Sequence, residues 1–92
     1  MASDLSANRT LNRFCNIINC FSEESPVLSL TDIANLIDLP MSTTHRFLKA
    51  MESQGLLLHS NGGKSYQLGY QLIRWGNIAF PLERVMIVHR LR

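Results

Sequence analysis

Cysteine is scarce in this 92-residue chain, with only Cys15 and Cys20. They lie five apart in a stretch patterned as a helix, where the rise of about 7.5 Å exceeds disulfide reach. Both therefore read as small apolar residues, buried or half-buried. Histidine is scarce too: His45, His59 and His89 fall on separate segments, and neither cysteine belongs to a CxxC or CxxxC pair. That pattern excludes a metal centre. The chain has no Gly-rich phosphate loop, and its adjacent carboxylates, Glu23-Glu24, sit in a loop-like stretch. With no set of nucleophile, base and orienting group to defend, an enzyme is not expected, nor is a cofactor. Long apolar runs are missing as well. Leu56 to Leu58 and Ile78 to Leu82 fall far short of the roughly 20 residues needed to cross a bilayer, and "MASDLSANRT" lacks a signal-peptide core. The expectation is a soluble, cytoplasmic chain. A protein this short buries only about 60–65% of its unfolded surface, which excludes a large internal active site.

Charge of either sign is sparse, and the net value is +2. A balance so mild does not announce a nucleic-acid protein, so the distribution carries the argument. Residues 1–69 hold five cations (Arg9, Arg13, Arg46, Lys49, Lys64) and six acids (Asp4, Glu23, Glu24, Asp32, Asp38, Glu52), a net of −1. The overall basicity thus comes from the tail. Four of those six acids fall between residues 23 and 38, flanked by cations on both sides, so a folded domain would be dipolar.

From Thr10 to Ser22, Leu11, Phe14, Ile18 and Phe21 recur at helical spacing and predict a first helix with one buried stripe. "SEESPV" predicts a loop, since the residue before Pro26 is pushed out of helical geometry. Ser29 and Asp32 form a capping-box pattern ahead of Leu30, Ile33, Ala34 and Ile37, a short second helix. After "DLP", Pro40 suits the first position of a third helix running to about Gln54, with Gly55 as the left-handed residue past its end. "LLLHSNGGKSYQL" holds two short apolar runs around Asn61-Gly62-Gly63, a hairpin signal. In the tail, Leu72, Trp75, Ile78, Ala79 and Leu82 keep helical spacing, with Pro81 expected to kink or restart the helix.

Placing residues of the third helix about 100° apart gathers Thr44, Phe47, Leu48 and Met51 on the buried side. Opposite lie Ser42, Arg46, Lys49 and Ser53, with His45 on one shoulder and Thr43 at the exposed first turn. The outer face of an amphipathic helix is ordinarily just solvated. Here, however, two helices joined by a tight turn, the second opening Pro-Met-Ser-Thr-Thr-His-Arg, form a helix-turn-helix, whose second helix enters the major groove of DNA. Short hydroxyl side chains permit close approach, Arg46 suits guanine, and Lys49 suits a phosphate. The hairpin tip, Ser60 to Lys64 with Asn61 at its turn, would serve as a wing along the backbone or minor groove. Arg9, ahead of the first helix, has a weaker claim.

"RTLNRFCNIINCF", "LSLTDIANLIDLPMSTTHRFLKAMESQGLL" and "YQLGYQL" together resemble the amino-terminal winged helix-turn-helix of the IclR family of bacterial transcription regulators, over roughly residues 9–76. The most specific features are Pro-x-Ser-Thr-x-x-Arg-x-Leu from Pro40, then Glu52 and Gly55, and a wing closed by Tyr-x-Leu-Gly. The resemblance implies a DNA face of Ser42, Thr43, His45, Arg46 and Lys49, with Arg9 at a neighbouring minor groove.

The expected fold is mainly α with a small β-hairpin, a winged helix-turn-helix of three helices plus wing, followed by a linker or dimerisation helix. Residues 1–8 are read as a flexible segment, 9–69 as the DNA-binding domain, with Asn61 and Lys64 in its site, and 70–92 as a helical tail. Leu72, Trp75, Ala79 and Leu82 would join two copies on double-stranded DNA, as a homodimer or as a dimer of dimers in a full-length protein. The family's regulators also carry an effector-binding domain after the linker helix, so a small-molecule effector is expected only with such a domain, and the chain reads as a fragment or as a naturally short relative. The competing reading is a winged-helix module that binds protein rather than DNA.

Overall fold

The structure, a computed structural model, describes residues 2–80. Its elements run α1 (Ala2–Ile18), β1 (Leu28–Ser29), α2 (Leu30–Ile37), α3 (Met41–Ser53), β2 (Leu57–Ser60), a 3₁₀ turn (Asn61–Gly63), β3 (Ser65–Leu68) and α4 (Tyr70–Ala79). The strands form one antiparallel sheet in the order β1-β3-β2. This is a winged helix: three helices around one core, with a β2–β3 wing.

The helix boundaries follow their caps. At the start of α2 the Ser29 hydroxyl accepts from Asp32 N–H at 3.0 Å, and the Asp32 carboxylate accepts from Ser29 N–H at 3.2 Å. A reciprocal cap of this kind stabilises a short helix by about 1 kcal/mol. α2 ends where Asp38 turns left-handed, φ 56°, so that Leu39 N–H reaches back to the Ala34 carbonyl at 3.1 Å. Aspartate tolerates this conformation better than most side chains do. α3 closes the same way: Gly55 has φ 76°, its N–H donates to Glu52 at 3.0 Å, and Leu56 N–H donates to Met51 at 2.9 Å. Met51 and Leu56, brought together by that turn, are both buried in the core.

Ile17, Ile33, Leu48 and Leu57, one from each of α1, α2, α3 and β2, are fully buried, with Phe21, Leu28, Met51, Leu56 and Tyr66 around them. Each fully buried aliphatic side chain contributes roughly 1.5–3 kcal/mol. Thr44 is also fully buried, its hydroxyl satisfied by the Pro40 carbonyl at 2.9 Å.

Several expectations need correction. α1 begins at Ala2 and not near Thr10, so residues 2–8, expected as a flexible lead-in, are helical. It also ends at Ile18, and its inward face centres on Ile17 with Phe14 and Ile18 half-buried, while Leu11 is exposed. Pro40 is the residue before α3 and not its first helical residue. β1 was not anticipated: Leu28 pairs with Tyr66 and Ser29 with Ser65. Cys15 is exposed, whereas Cys20 is half-buried, donates its thiol to the Asn16 carbonyl at 3.2 Å, and has its pKa raised by burial. Among the described residues no helix is long and apolar enough to cross a membrane.

Candidate nucleic-acid interface

The two ends of the helix-turn-helix are built differently. α2 is closed at its start by the Ser29–Asp32 box, but no side chain caps α3. The Pro40 carbonyl takes Thr44 N–H at 3.0 Å, the first bond of the helix. The N–H groups of Met41, Ser42 and Thr43 are left without an acceptor in the helix ladder, at the positive end of its dipole. Only Asp38, Leu39 and Pro40 separate the two helices, so this open end is held rigidly against a capped and packed neighbour.

Outward from that end, Ser42, His45, Arg46 and Lys49 are exposed and Thr43 is half-buried. The expected inward set is also in place, with Thr44, Leu48 and Met51 buried and Phe47 half-buried against the core. Glu52 is the acid on this helix, and it does not neutralise Lys49. Its carboxylate lies 2.8 Å from His59 Nδ1 on β2, both side chains about a third exposed. The His59 ring in turn packs on Tyr66 of β3, centroids 4.3 Å apart and planes 47° apart. A pair so exposed contributes little stability, but it ties the end of α3 to the wing. Tyr66 responds: burial first, and the Glu52 charge second, raise its phenol above the ordinary value.

The wing follows from Gly62 and Gly63, at φ 70° and 85°, which reverse the chain between Ser60 and Ser65, paired across the ladder. Lys64 is exposed beside that turn. Asn61 has its backbone in the turn, and its side chain lies outside the described set. Arg9 is exposed but sits inside α1 and not on a free arm ahead of it.

Three features escaped the sequence reading. Arg13, half-buried on α1, places its guanidinium carbon 5.8 Å from the Phe47 ring centroid, on the flank of α3 away from Glu52. Met41 is 46% exposed at the first turn of α3, an apolar tip on a polar face. Third, Gly69 lies against the Gly55–Leu56 backbone, donating to the Leu56 carbonyl at 2.8 Å while Gln71 N–H donates to Gly55 at 3.1 Å. The first and third join residues far apart in sequence, so no local pattern announces them.

α4 leaves this joint with no buried residue of its own. Leu72 leans half-buried on the domain's core and is therefore not part of a free apolar strip. Ile73, Trp75, Ile78 and Phe80 are 47–72% exposed, and Ala79 is exposed as well. Leu82 lies outside the described residues.

Comparison with known proteins points one way. The model of the IclR helix-turn-helix domain matches residues 10–59. The chain is 30% identical over 69 residues to the HTH-type transcriptional regulator XynR of Escherichia coli K12, covering 75% of this chain and 27% of that protein. Among solved structures, an IclR-family transcriptional regulator from Rhodococcus sp. superposes with a TM-score of 0.71 at 28% identity, over 90% of this chain and 34% of the other. HmgR of Pseudomonas aeruginosa does so with a TM-score of 0.65 at 30% identity, over 80% of this chain and 30% of the other. The chain thus spans about a quarter to a third of the length of these relatives.

Proposed function

Because the chain belongs to the IclR helix-turn-helix family, we propose that it binds double-stranded DNA sequence-specifically as the reading head of a transcription regulator, with α3 in the major groove. The observation that carries this reading is the contrast between a capped α2 and an uncapped α3 whose exposed face offers Ser42, His45, Arg46 and Lys49. The free N–H groups suit a phosphate, the hydroxyls allow close approach, and Arg46 presents the fork that pairs with guanine O6 and N7. Lys49, about one turn further along, is a point charge suited to a phosphate. Lys64 and Asn61 at the wing tip follow the neighbouring backbone, and Arg9 on α1 supplies a weaker outer contact. Two copies joined through the exposed apolar residues of α4, Trp75 and Ala79 among them, would set two α3 helices about one turn of DNA apart.

Selection of bound sites from random duplexes, followed by alanine variants, tests the reading. Arg46→Ala should cost about 1–3 kcal/mol and relax preference at one base pair. Lys49→Ala should weaken all sequences alike and reduce the salt slope by about 0.9. If both variants stay folded and bind the selected duplex as tightly as the parent, α3 is a solvated face and the domain docks protein instead.

A further inference from the structure

We infer that Arg13 is a DNA-backbone contact, a cation on α1 oriented by the Phe47 ring to hold a phosphate on the flank of the groove that α3 occupies. The inference rests on the DNA-binding reading above and adds a residue from outside the helix-turn-helix itself. Arg13 lies one turn before Ile17, the buried centre of α1, so its stem is directed toward the domain and half-covered. Its guanidinium stands 5.8 Å from the Phe47 centroid, within the range of a cation–π contact. The ring offers no acceptor oxygen or nitrogen, so the five donors that project in the plane of the guanidinium are not consumed by this contact.

Nothing in the described residues takes those donors. The carboxylate contact there is Glu52 with His59, on the opposite flank of α3, and none of the described carboxylates lies within 4.0 Å of an Arg13 nitrogen. Phe47 lies next to Arg46 along α3, and Thr43 stands one turn before it at the open start of the helix. Arg13 is therefore a positive charge on the Phe47 flank of α3, on the Arg46 side of the face proposed to carry Arg46 and Lys49, with its half-covered stem restricted in rotamer. Pre-ordering of this kind lowers the entropic cost of closing on an anion. The anion that fits is a phosphodiester oxygen pair, which the planar fork meets at two points.

The test uses the full chain, with a duplex carrying the selected site and a scrambled duplex, titrated from low to high salt. Arg13→Met keeps an unbranched apolar stem over Phe47 and removes the charge; Arg13→Lys keeps the charge and removes the fork. Arg13→Met should weaken both duplexes about ten-fold and lower the salt slope by about 0.9. Arg13→Lys should keep the parental slope with an intermediate affinity. The inference is overturned if folded Arg13→Met binds like the parent, or if both variants lose affinity with an unchanged slope, which would make Arg13 only a strut between α1 and α3. A parent that binds no duplex at any salt overturns the proposed function itself, and this contact with it.

Discussion

Replacing Gly69 by alanine should damage this domain more than any other single-methyl change, and the structure gives the reason in distances. A Cβ at position 69 would lie 2.1 Å from the Gly55 carbonyl oxygen and 2.8 Å from the carbonyl carbons of Gly55 and Leu56. All three are backbone atoms, so no side chain can rotate away. Restoring an ordinary contact of about 3.5 Å would push the two segments apart by more than 1 Å. Two hydrogen bonds span the same joint, Gly69 to Leu56 at 2.8 Å and Gln71 to Gly55 at 3.1 Å. Overpacking of this sort costs roughly 1–3 kcal/mol, and each buried bond lost adds about 1 kcal/mol or more. The sum, about 3–5 kcal/mol, is a large part of the roughly 5–12 kcal/mol that holds a domain of this size. Thermal unfolding followed by circular dichroism should show Tm lowered by at least about 12 °C. Gly76→Ala is the internal control. It lies inside α4 with no atom within 4 Å of a new Cβ, so it should stabilise by about 0.5–1 kcal/mol wherever α4 is helical. A Gly69→Ala protein melting within about 3 °C of the parent would show that the wing and α3 do not meet as described.

Two further outcomes follow from the same geometry. Tyr66 has its phenol raised by burial and then by Glu52; a group raised in the folded state contributes stability that is present below its unfolded value and is lost as pH rises through the folded one. Alkaline unfolding should therefore be less steep in Tyr66→Phe, and in a Tyr70→Phe background Glu52→Gln should move the remaining phenolate absorbance transition to lower pH; an unmoved transition would remove Glu52 as a cause. Trp75→Glu, on a helix with no buried residue, should leave the melting temperature near that of the parent and abolish self-association in sedimentation, whereas an unchanged dimer would place the contact elsewhere.

What was legible in the sequence was local. Ser29 and Asp32 announce a helix start, Gly55 a left-handed stop, and Asn61-Gly62-Gly63 a reversal, because each depends on residues within four positions of itself. The inward face of α3 was legible for the same reason. α1 was misread at both ends: residues 2–8 carry no apolar stripe to mark a helix, and Leu11 fits the period without being covered. β1 is two residues long, too short for any alternation to register. Arg13 over Phe47, Gly69 against Gly55, and Glu52 on His59 depend on which elements meet, and chain spacing does not encode that. The helical period marked out the polar face of α3 and the family resemblance agreed in reading it as the expected DNA face, but neither could supply Arg13, whose role is argued only from its contact with Phe47.

The modest net charge is less of an obstacle to DNA binding than it first looks, because potential at a face is set by where charges sit and what already occupies them. Of the acids in residues 9–69, Glu23 and Glu24 lie in the loop before β1, Asp32 is spent on the α2 cap, and Glu52 is engaged by His59. Asp38, in the turn itself, is the acid nearest in sequence to the open start of α3. Arg46, Lys49 and Lys64 are exposed, and none has an ion-pair partner among the described residues. A face with those three cations, flanked by Arg13, can attract phosphate while the domain as a whole stays near neutral, since screening limits each charge to about 8–10 Å at physiological salt. Near-neutrality has its own consequence: the weak non-specific attraction that a uniformly basic protein feels for any duplex is reduced. Under the proposed function, discrimination would then fall on base-reading contacts from α3, Arg46 first among them.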